Sequence, residues 1–487
     1  MVRQSYRHEL GAALTFPLAA SLAEGSFTAV VAAKNFDASV LLIAVITAAP
    51  MFGNVLALFW SDLAAGRRKV PFINLLQLGV IVMVASVALC AWLPQAGHAT
   101  AGGDRGTAAP VAASNYVGWI FAAQIVAARL LASGIVTLRA TIWRCNYPRS
   151  IRGHVTSRIS TISTLVLAMA TFAGSYALDI NPQAYVYLYP GAALLGLIGI
   201  YQFSKIRVRQ EFLLLRAEKT ADQFRAAEID EAGITDETPV LNYAPANVAS
   251  RLRDFPLFRM VGQARQVLRD DPRFRLYQRW QMFSGFGFMM TAPALLTLVS
   301  TELTNRKEQY LLATSVVQLI PMAVSLVAVP LWAPLFDRVS ITRFRVIQNI
   351  FTLSAFVLLA AGALSHHAFG GSKLLALGVI AVAQVFMGIT NGAGALAWNL
   401  GHNEFAPPEK TSLYMGVHVM LTGVRGCLAP FLGGILYQHY LGPYTFLVTF
   451  ACSAIGAAGF YSMSKQPAPQ APSVLPAKPA EPSTPTR

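Results

Sequence analysis

Apolar runs of membrane-spanning length follow one another along the chain at 10–33, 38–62, 70–93, 114–142, 155–178 and 183–203. After a polar interval they resume at 276–300, 309–336, 344–365, 372–400, 412–437 and 442–463. About 20 apolar residues suffice for a helix to cross a hydrocarbon core of about 30 Å. In lipid each backbone N–H and C=O must be satisfied within the structure, which favours helices for such runs. The pattern therefore predicts an all-α membrane protein with twelve transmembrane helices in two six-helix bundles, 1–203 and 276–463. Two segments lack the pattern. Residues 204–275 form a charged linker expected to face the same side as both termini. Its stretch "NVASRLRDFPLFRMVGQARQVLRDDPRFRLYQRW" interleaves Arg with Leu, Phe and Val at near-helical spacing. This suits either amphipathic helices on an anionic leaflet or a solvated linker with some helix. The segment 464–487 is Pro-rich and is expected to be extended and disordered.

Composition agrees: 55% of residues are hydrophobic and 13% charged, against about 25% charged in soluble domains. A net charge of +15 would suggest a nucleic-acid partner if the cations were not so unevenly placed. Only Lys34, Arg105, Arg306, Lys307 and Lys373 fall on one face, and Arg129, Arg139 and Arg425 lie within spans. All other Lys and Arg fall on the opposite face, with both termini, and the positive-inside rule makes that face cytoplasmic. The expectation is a multi-pass protein of the cell (inner) membrane, in contact with lipid and not with nucleic acid. The N-terminus runs into the first span without a cleavable signal. Cys90, Cys145, Cys427 and Cys452 have no metal-type spacing and no disulfide framework is expected. No cofactor or metal is expected.

The two halves share a weak internal repeat. In "APMFGNVLALFWSDLAAGRRKVPFINLL" and "IPMAVSLVAVPLWAPLFDRVSITRFRVIQNIF", Pro50-Met51 matches Pro321-Met322. With a four-residue gap, Asp62, Arg68 and Asn74 match Asp337, Arg343 and Asn349, and before that gap Trp60 falls within one position of Trp332. Both motifs occupy the turn after the second span of a half, which makes the bundles pseudo-symmetric. Here the chain resembles the major facilitator superfamily of transporters, whose signature in that turn is Gly-x-x-x-Asp-Arg-x-Gly-Arg-Arg/Lys. Asp62 is followed by Leu63, Gly66-Arg67-Arg68-Lys69 comes one residue late, and Leu58 stands at the first Gly; in the second half Asp337-Arg338 is intact. The resemblance implies a gate. A carboxylate at Asp62 meets the positive N-terminal end of the eleventh helix when the halves close on that face. Gly66 then allows the turn, and Arg67, Arg68, Asp337 and Arg338 complete the latch. The alternative is that the cations serve topology alone.

Ionisable groups at bilayer depth cost roughly 2.5–3.5 kcal/mol each on insertion scales, so they usually face a cavity or a partner. Arg129 and Arg425 lie midway through spans four and eleven, and Glu24 lies in span one as the only carboxylate in a span away from a helix end. The resemblance places spans one and four on the central path. There Arg129 binds an anionic group while Glu24 carries a proton, or the two form a permanent structural ion pair. In span ten, Asn391 and Trp398 are candidates for solute contact, with packing as the other reading. His418 and His402 read as interface and loop residues. "GVRGCLAPFLGG" in span eleven resembles the Gly-Pro motif of antiporters, displaced from its usual place in helix five.

No Walker loop, serine elbow or zinc set is present, so neither ATP coupling nor an enzyme is expected. The function expected is a secondary transporter that moves a small, anionic organic solute by alternating access, coupled to a proton or other ion gradient. The alternative is a non-transporting membrane sensor or scaffold on the same fold.

Overall fold

The computed structural model describes residues 2–56, 59–60, 63–64, 66–93, 116–147, 149–216, 256–305, 308–406 and 411–466, and all regular structure among them is helical. The first half comprises Val2–Ser21 with Gly25–Asn35, then Val40–Val55, Lys69–Ser86, Tyr116–Asn146, Arg149–Ile180 and Tyr185–Ser204. The second comprises Pro272–Thr297, Tyr310–Thr314 with Ile320–Arg338, Ile341–His367, Lys373–Leu400, Thr411–Ile435 and Thr445–Ser464. Among the described residues, ten helical stretches are long and apolar enough to cross a membrane. One of these, Leu413–Ser464, holds both of the last two spans, and the shorter apolar helix Val40–Val55 is the second span.

Local chemistry sets several of the helix starts. Ser39, Asp271 and Ser372 each accept the amide of the residue three positions on, the usual way to satisfy an orphan N–H at a helix N-terminus. Span one departs from the single helix expected at 10–33. It breaks at Leu22–Glu24, and Gly25 resumes the chain at φ +70°. Short π-helical turns at Leu298–Leu303 and Ser315–Leu319 interrupt spans seven and eight.

Packing repeats six spans on. In the first half span one packs on five and six, three on four and six, and two on four. In the second half seven packs on eleven and twelve, nine on ten and twelve, and eight on ten. The halves meet along span two against eleven and along five against the start of eight, which are symmetry-related contacts. The paired tryptophans show the same duplication at atomic scale. The indole of Trp60 donates to Ser133 Oγ of span four (3.1 Å), and that of Trp332 to the Ile389 carbonyl of span ten (3.0 Å). The outer surface of the spans is apolar, with Leu75, Val136, Leu194, Leu331 and Leu374 all more than 60% exposed, as a lipid-facing surface requires.

The linker helix Pro256–Asp270 turns its apolar side to the protein rather than to lipid. Ala264 and Val267 are buried in the cluster that includes Phe274, Tyr414 and Val417, while Arg265 and Arg269 are exposed.

Candidate functional site

Two cavities lie between the spans, and Asn54 of span two lines both. The one in the first half has a volume of about 460 Å³ and is bounded by spans one to five. Glu24 and Arg129 face into it and form an ion pair, with Arg129 Nη1 3.1 Å from Glu24 Oε2. The break in span one builds this arrangement. Glu24 is in extended conformation (φ −129°, ψ 147°), so its side chain leaves the helix line. Gly25 is required twice: its positive φ disfavours any side chain, and a Cβ there would lie 2.9 Å from Gln318 Oε1. That same oxygen accepts the Phe27 amide (2.6 Å) at the open start of the resumed helix, and Gln318 Nε2 donates to Thr171 Oγ1 (3.3 Å). Freed backbone at membrane depth is thus satisfied from another span, as lipid demands.

Glu24 is not the only carboxylate inside a span. The first helix begins at Val2, eight residues before the expected start, so Glu9 lies within it and is fully buried. Glu9 accepts from Trp143 Nε1 (2.6 Å) and the Tyr147 hydroxyl (3.0 Å), and it pairs with Arg139 (3.8 Å).

The second cavity, of about 350 Å³, is formed mainly by spans seven, nine, ten and eleven, with Met51 and Asn54 contributed by span two. Asn391, Trp398 and Arg425, singled out from the sequence, all line it, so the five candidates divide between two lobes instead of converging on one point. Arg425 is 4% exposed and donates Nη1 to the Gln281 carbonyl (2.6 Å). Its Nε has no partner.

The sequence reading missed Arg345. Treated as a cytoplasmic cation following Asp337, it is instead 6% exposed on span nine and faces the same cavity. Its Nε donates to the Tyr277 hydroxyl (3.3 Å) and Nη1 to Gln348 Oε1 (2.9 Å), while Nη2 is unpartnered. The signal was there: Arg345, Gln348, Asn349 and Thr352 recur at i, i+3, i+4 and i+7 on an otherwise apolar helix, one polar stripe, and all four line the cavity. Gln348 Nε2 continues the network to the Thr390 carbonyl (3.2 Å), and Ser284 Oγ donates to Asn349 Oδ1 (3.1 Å).

His418 is buried behind the cavity, its Nδ1 3.2 Å from the Gln278 amide nitrogen and its ring against Trp398. His402 is buried in the turn after span ten, and burial holds it below the ordinary imidazole range. The glycines of span eleven serve close packing. Gly423 and Gly426 abut Val55 and Met51 of span two, and Gly433 abuts the backbone of Met290 in span seven.

Of the latch, Asp62 lies outside the described residues. Gly66 turns the chain at φ +64°. Arg68 pairs with Glu211 (3.6 Å), Arg67 lies over the Phe72 ring, and Asp337 and Arg338 are exposed. Among the described residues, side-chain hydrogen bonds between halves lie toward the other face. Lys34, expected in a loop, is buried, and its ammonium donates to Thr304 Oγ1 (2.9 Å) and to the carbonyls of Asn305 (2.5 Å) and Glu308 (2.8 Å). Asp179, at the end of span five, accepts the amides of Tyr310 and Leu311 at the start of span eight, the latter at 3.0 Å. Among the described residues, the side-chain hydrogen bonds between halves all lie between this face and the Gln318 contact. The carboxylate-on-helix-end device expected at Asp62 is thus present at the opposite face.

The sequence profile of the Major Facilitator Superfamily matches residues 280–486. No curated protein matches the chain in sequence. Similar solved structures include a D-xylose–proton symporter (10% identity, 94% of this chain and 96% of that one, TM-score 0.58). The nucleoside transporter NupG is also similar (14% identity, 95% and 100%, TM-score 0.57). So is a POT family transporter in complex with a thioalcohol-conjugated peptide (10% identity, 96% and 96%, TM-score 0.59). The family's sequence profile thus covers the second half, and the likeness in fold extends over both halves of the chain.

Proposed function

We propose that the protein is a secondary transporter that moves a small anionic organic solute across the cell membrane by alternating access, coupled to protons through Glu24 and Arg129. The observation that carries this reading is the placing of a cavity lined by both halves beneath a face where Lys34, Asp179 and Gln318 tie those halves together. A cavity closed on one side by breakable polar contacts is what rocking of two repeats requires. The similar solved structures are of a D-xylose–proton symporter, a nucleoside transporter and a POT family transporter holding a conjugated peptide. The cation distribution makes the terminal face cytoplasmic, so the tied face is the outer one, and Asp62, Gly66, Arg67, Arg68, Asp337 and Arg338 latch the inner face in the other state.

Coupling follows from the ion pair. While Glu24 is ionised it holds Arg129 at 3.1 Å. A proton on Glu24 releases the guanidinium, which then feels the charge of a solute bound across Asn54 and helps draw the halves together. The test is a panel of organic anions applied to proteoliposomes on a solid-supported membrane, with and without an imposed pH gradient. Wild-type protein is expected to give solute-dependent currents; Glu24→Gln should keep solute exchange but lose the response to the gradient, and Arg129→Ala should lose both. Activity restored by the swap Glu24→Arg with Arg129→Glu would overturn the coupling. Absence of any solute-dependent flux would favour the sensor or scaffold reading.

A further inference from the structure

The four arginines inside the spans divide two and two in how far their charge is met. Arg129 has Glu24 and Arg139 has Glu9, both in the first half. Arg345 and Arg425 have only neutral partners: a hydroxyl, an amide oxygen and one backbone carbonyl. Among the described residues no carboxylate pairs with either. Each keeps an N–H site buried and unused, Nη2 of Arg345 and Nε of Arg425, as Arg129 and Arg139 also do, so the missing counter-charge is what sets this pair apart. Both guanidiniums line the same cavity, whose other lining residues include no Asp or Glu.

Arginine does not shed its proton in proteins. The second-half lobe therefore carries two fixed positive charges, and a buried charge without a counter-charge is a costly arrangement. The lining offers neutralisation only from outside the protein. We propose that this cavity binds a solute bearing a dianionic phosphate-ester head, clasped by Arg345 and Arg425, with its organic body against Phe288, Met289 and Trp398. Guanidinium donors match phosphate oxygens in fork geometry. The amides of Asn54 and Asn391 line the same space and supply further donors to an acceptor-only head. The volume, about 350 Å³, is at the lower end for small-molecule pockets and suits one head with a compact body. The first-half lobe, where both arginines already face carboxylates, has no such demand. The inference rests on the transport reading for the fate of the bound solute, not for its binding.

The test uses purified full-length protein in detergent at pH 7.5 and calorimetric titration with phenyl phosphate and phenyl sulfate. The two are nearly isosteric, but only the phosphate is mostly dianionic there, its second pKa being about 6. Inorganic phosphate and phthalate serve as further probes, the first asking whether the head alone suffices. Phenyl phosphate is expected to bind roughly tenfold or more tightly than phenyl sulfate, and Arg345→Gln and Arg425→Gln are each expected to erase the preference. Exposed Arg209→Gln should retain it. Gly285→Ala guards against misfolding as the explanation. A Cβ at 285 would lie 2.2 Å from Arg425 Cζ, so the guanidinium must swing away while its charge and the helix remain, and the preference should fall. Equal binding of phosphate and sulfate esters, a preference surviving both Gln variants, or tighter binding of phthalate would overturn the proposal. Flux of a neutral or singly charged solute without phosphate binding would sink this inference and leave the transporter. Phosphate-selective binding without flux of any solute would do the reverse.

Discussion

Replacing Asp179 by Asn changes one atom at the closed face and should open it. The carboxylate now accepts two amides at the start of span eight, from Tyr310 and Leu311, where a helix presents orphan N–H groups and the positive end of its dipole. Asn keeps the size and one acceptor but loses the second bond and the charge. Hydrogen bonds to charged groups contribute about 1.5–3 kcal/mol and neutral ones about 1 kcal/mol. The charge–dipole term adds about 0.3–1 kcal/mol, and up to about 2 kcal/mol when partly buried. A loss of about 2 kcal/mol is therefore expected, which shifts the balance of closed and open states by about 30-fold. If the state open on this face is populated at about 1% in the wild type, it should rise to about a quarter of molecules.

The assay is pulsed electron–electron resonance between spin labels at Gln183→Cys and Lys373→Cys. Both positions are exposed, on the tied face and in opposite halves, and the four native cysteines would be removed first. A second, longer distance should appear in Asp179→Asn and be absent from the parent. Distance distributions that superimpose for the parent, Asp179→Asn and Asp179→Ala would refute the idea that this carboxylate holds the halves together.

Lys34→Met removes an ammonium whose three donors are all used between halves. It should populate the same longer distance, and combining it with Asp179→Asn should push the population further; an unchanged distribution would count against the gate. Gly433→Ala would place a Cβ 2.1 Å from the Met290 carbonyl oxygen, and since backbone must move, a loss of about 1–3 kcal/mol should lower the melting temperature in detergent, whereas an unshifted transition would show that spans seven and eleven can separate freely. Cysteines at Gln183 and Gln210 should react oppositely with a membrane-impermeant maleimide on intact cells, Gln183→Cys from outside only. Reaction of both from outside would overturn the orientation.

The spans were legible in the sequence because hydrophobic length is a local property, and so was the repeat, because the turn motif and the paired tryptophans recur at matched positions. What escaped depended on which side of a boundary a polar residue falls. Arg345 lies only one residue into the expected span nine and so read as one more inner-face cation, although the stripe it begins with Gln348, Asn349 and Thr352 marks a cavity wall. Lys34 sits at the other end of span one and read as a loop residue, because nothing local foretells three acceptors brought in from the loop between spans seven and eight. The break at Glu24 was half visible in the Glu-Gly pair. Its stabilisation by Gln318, 291 positions away by way of the Phe27 amide, was not visible. Asp179 illustrates the general limit: a carboxylate on a helix end was foreseen at Asp62, and nothing local marked a second instance at the opposite face.

The duplication extends to the scaffold and stops at the charges. Trp60 and Trp332 bond equivalent spans, and the helix contacts repeat throughout. Yet the repeat that pairs Asn74 with Asn349 sets Val70 where the second half has Arg345. One lobe accordingly holds a carboxylate–guanidinium pair, and the other holds two guanidiniums with no carboxylate partner among the described residues. A lobe of fixed charge is suited to holding an anion whatever the proton concentration, and a lobe with a paired carboxylate is suited to sensing it. On the proposed reading, separating the two tasks would let a gradient act on the step that reorients the halves without weakening capture of the solute. On this division, solute affinity measured at equilibrium should depend on Arg345 and Arg425, while the response of flux to a pH gradient should depend on Glu24 and Arg129. Variants of each pair should leave the other measurement in place until the solute is no longer held.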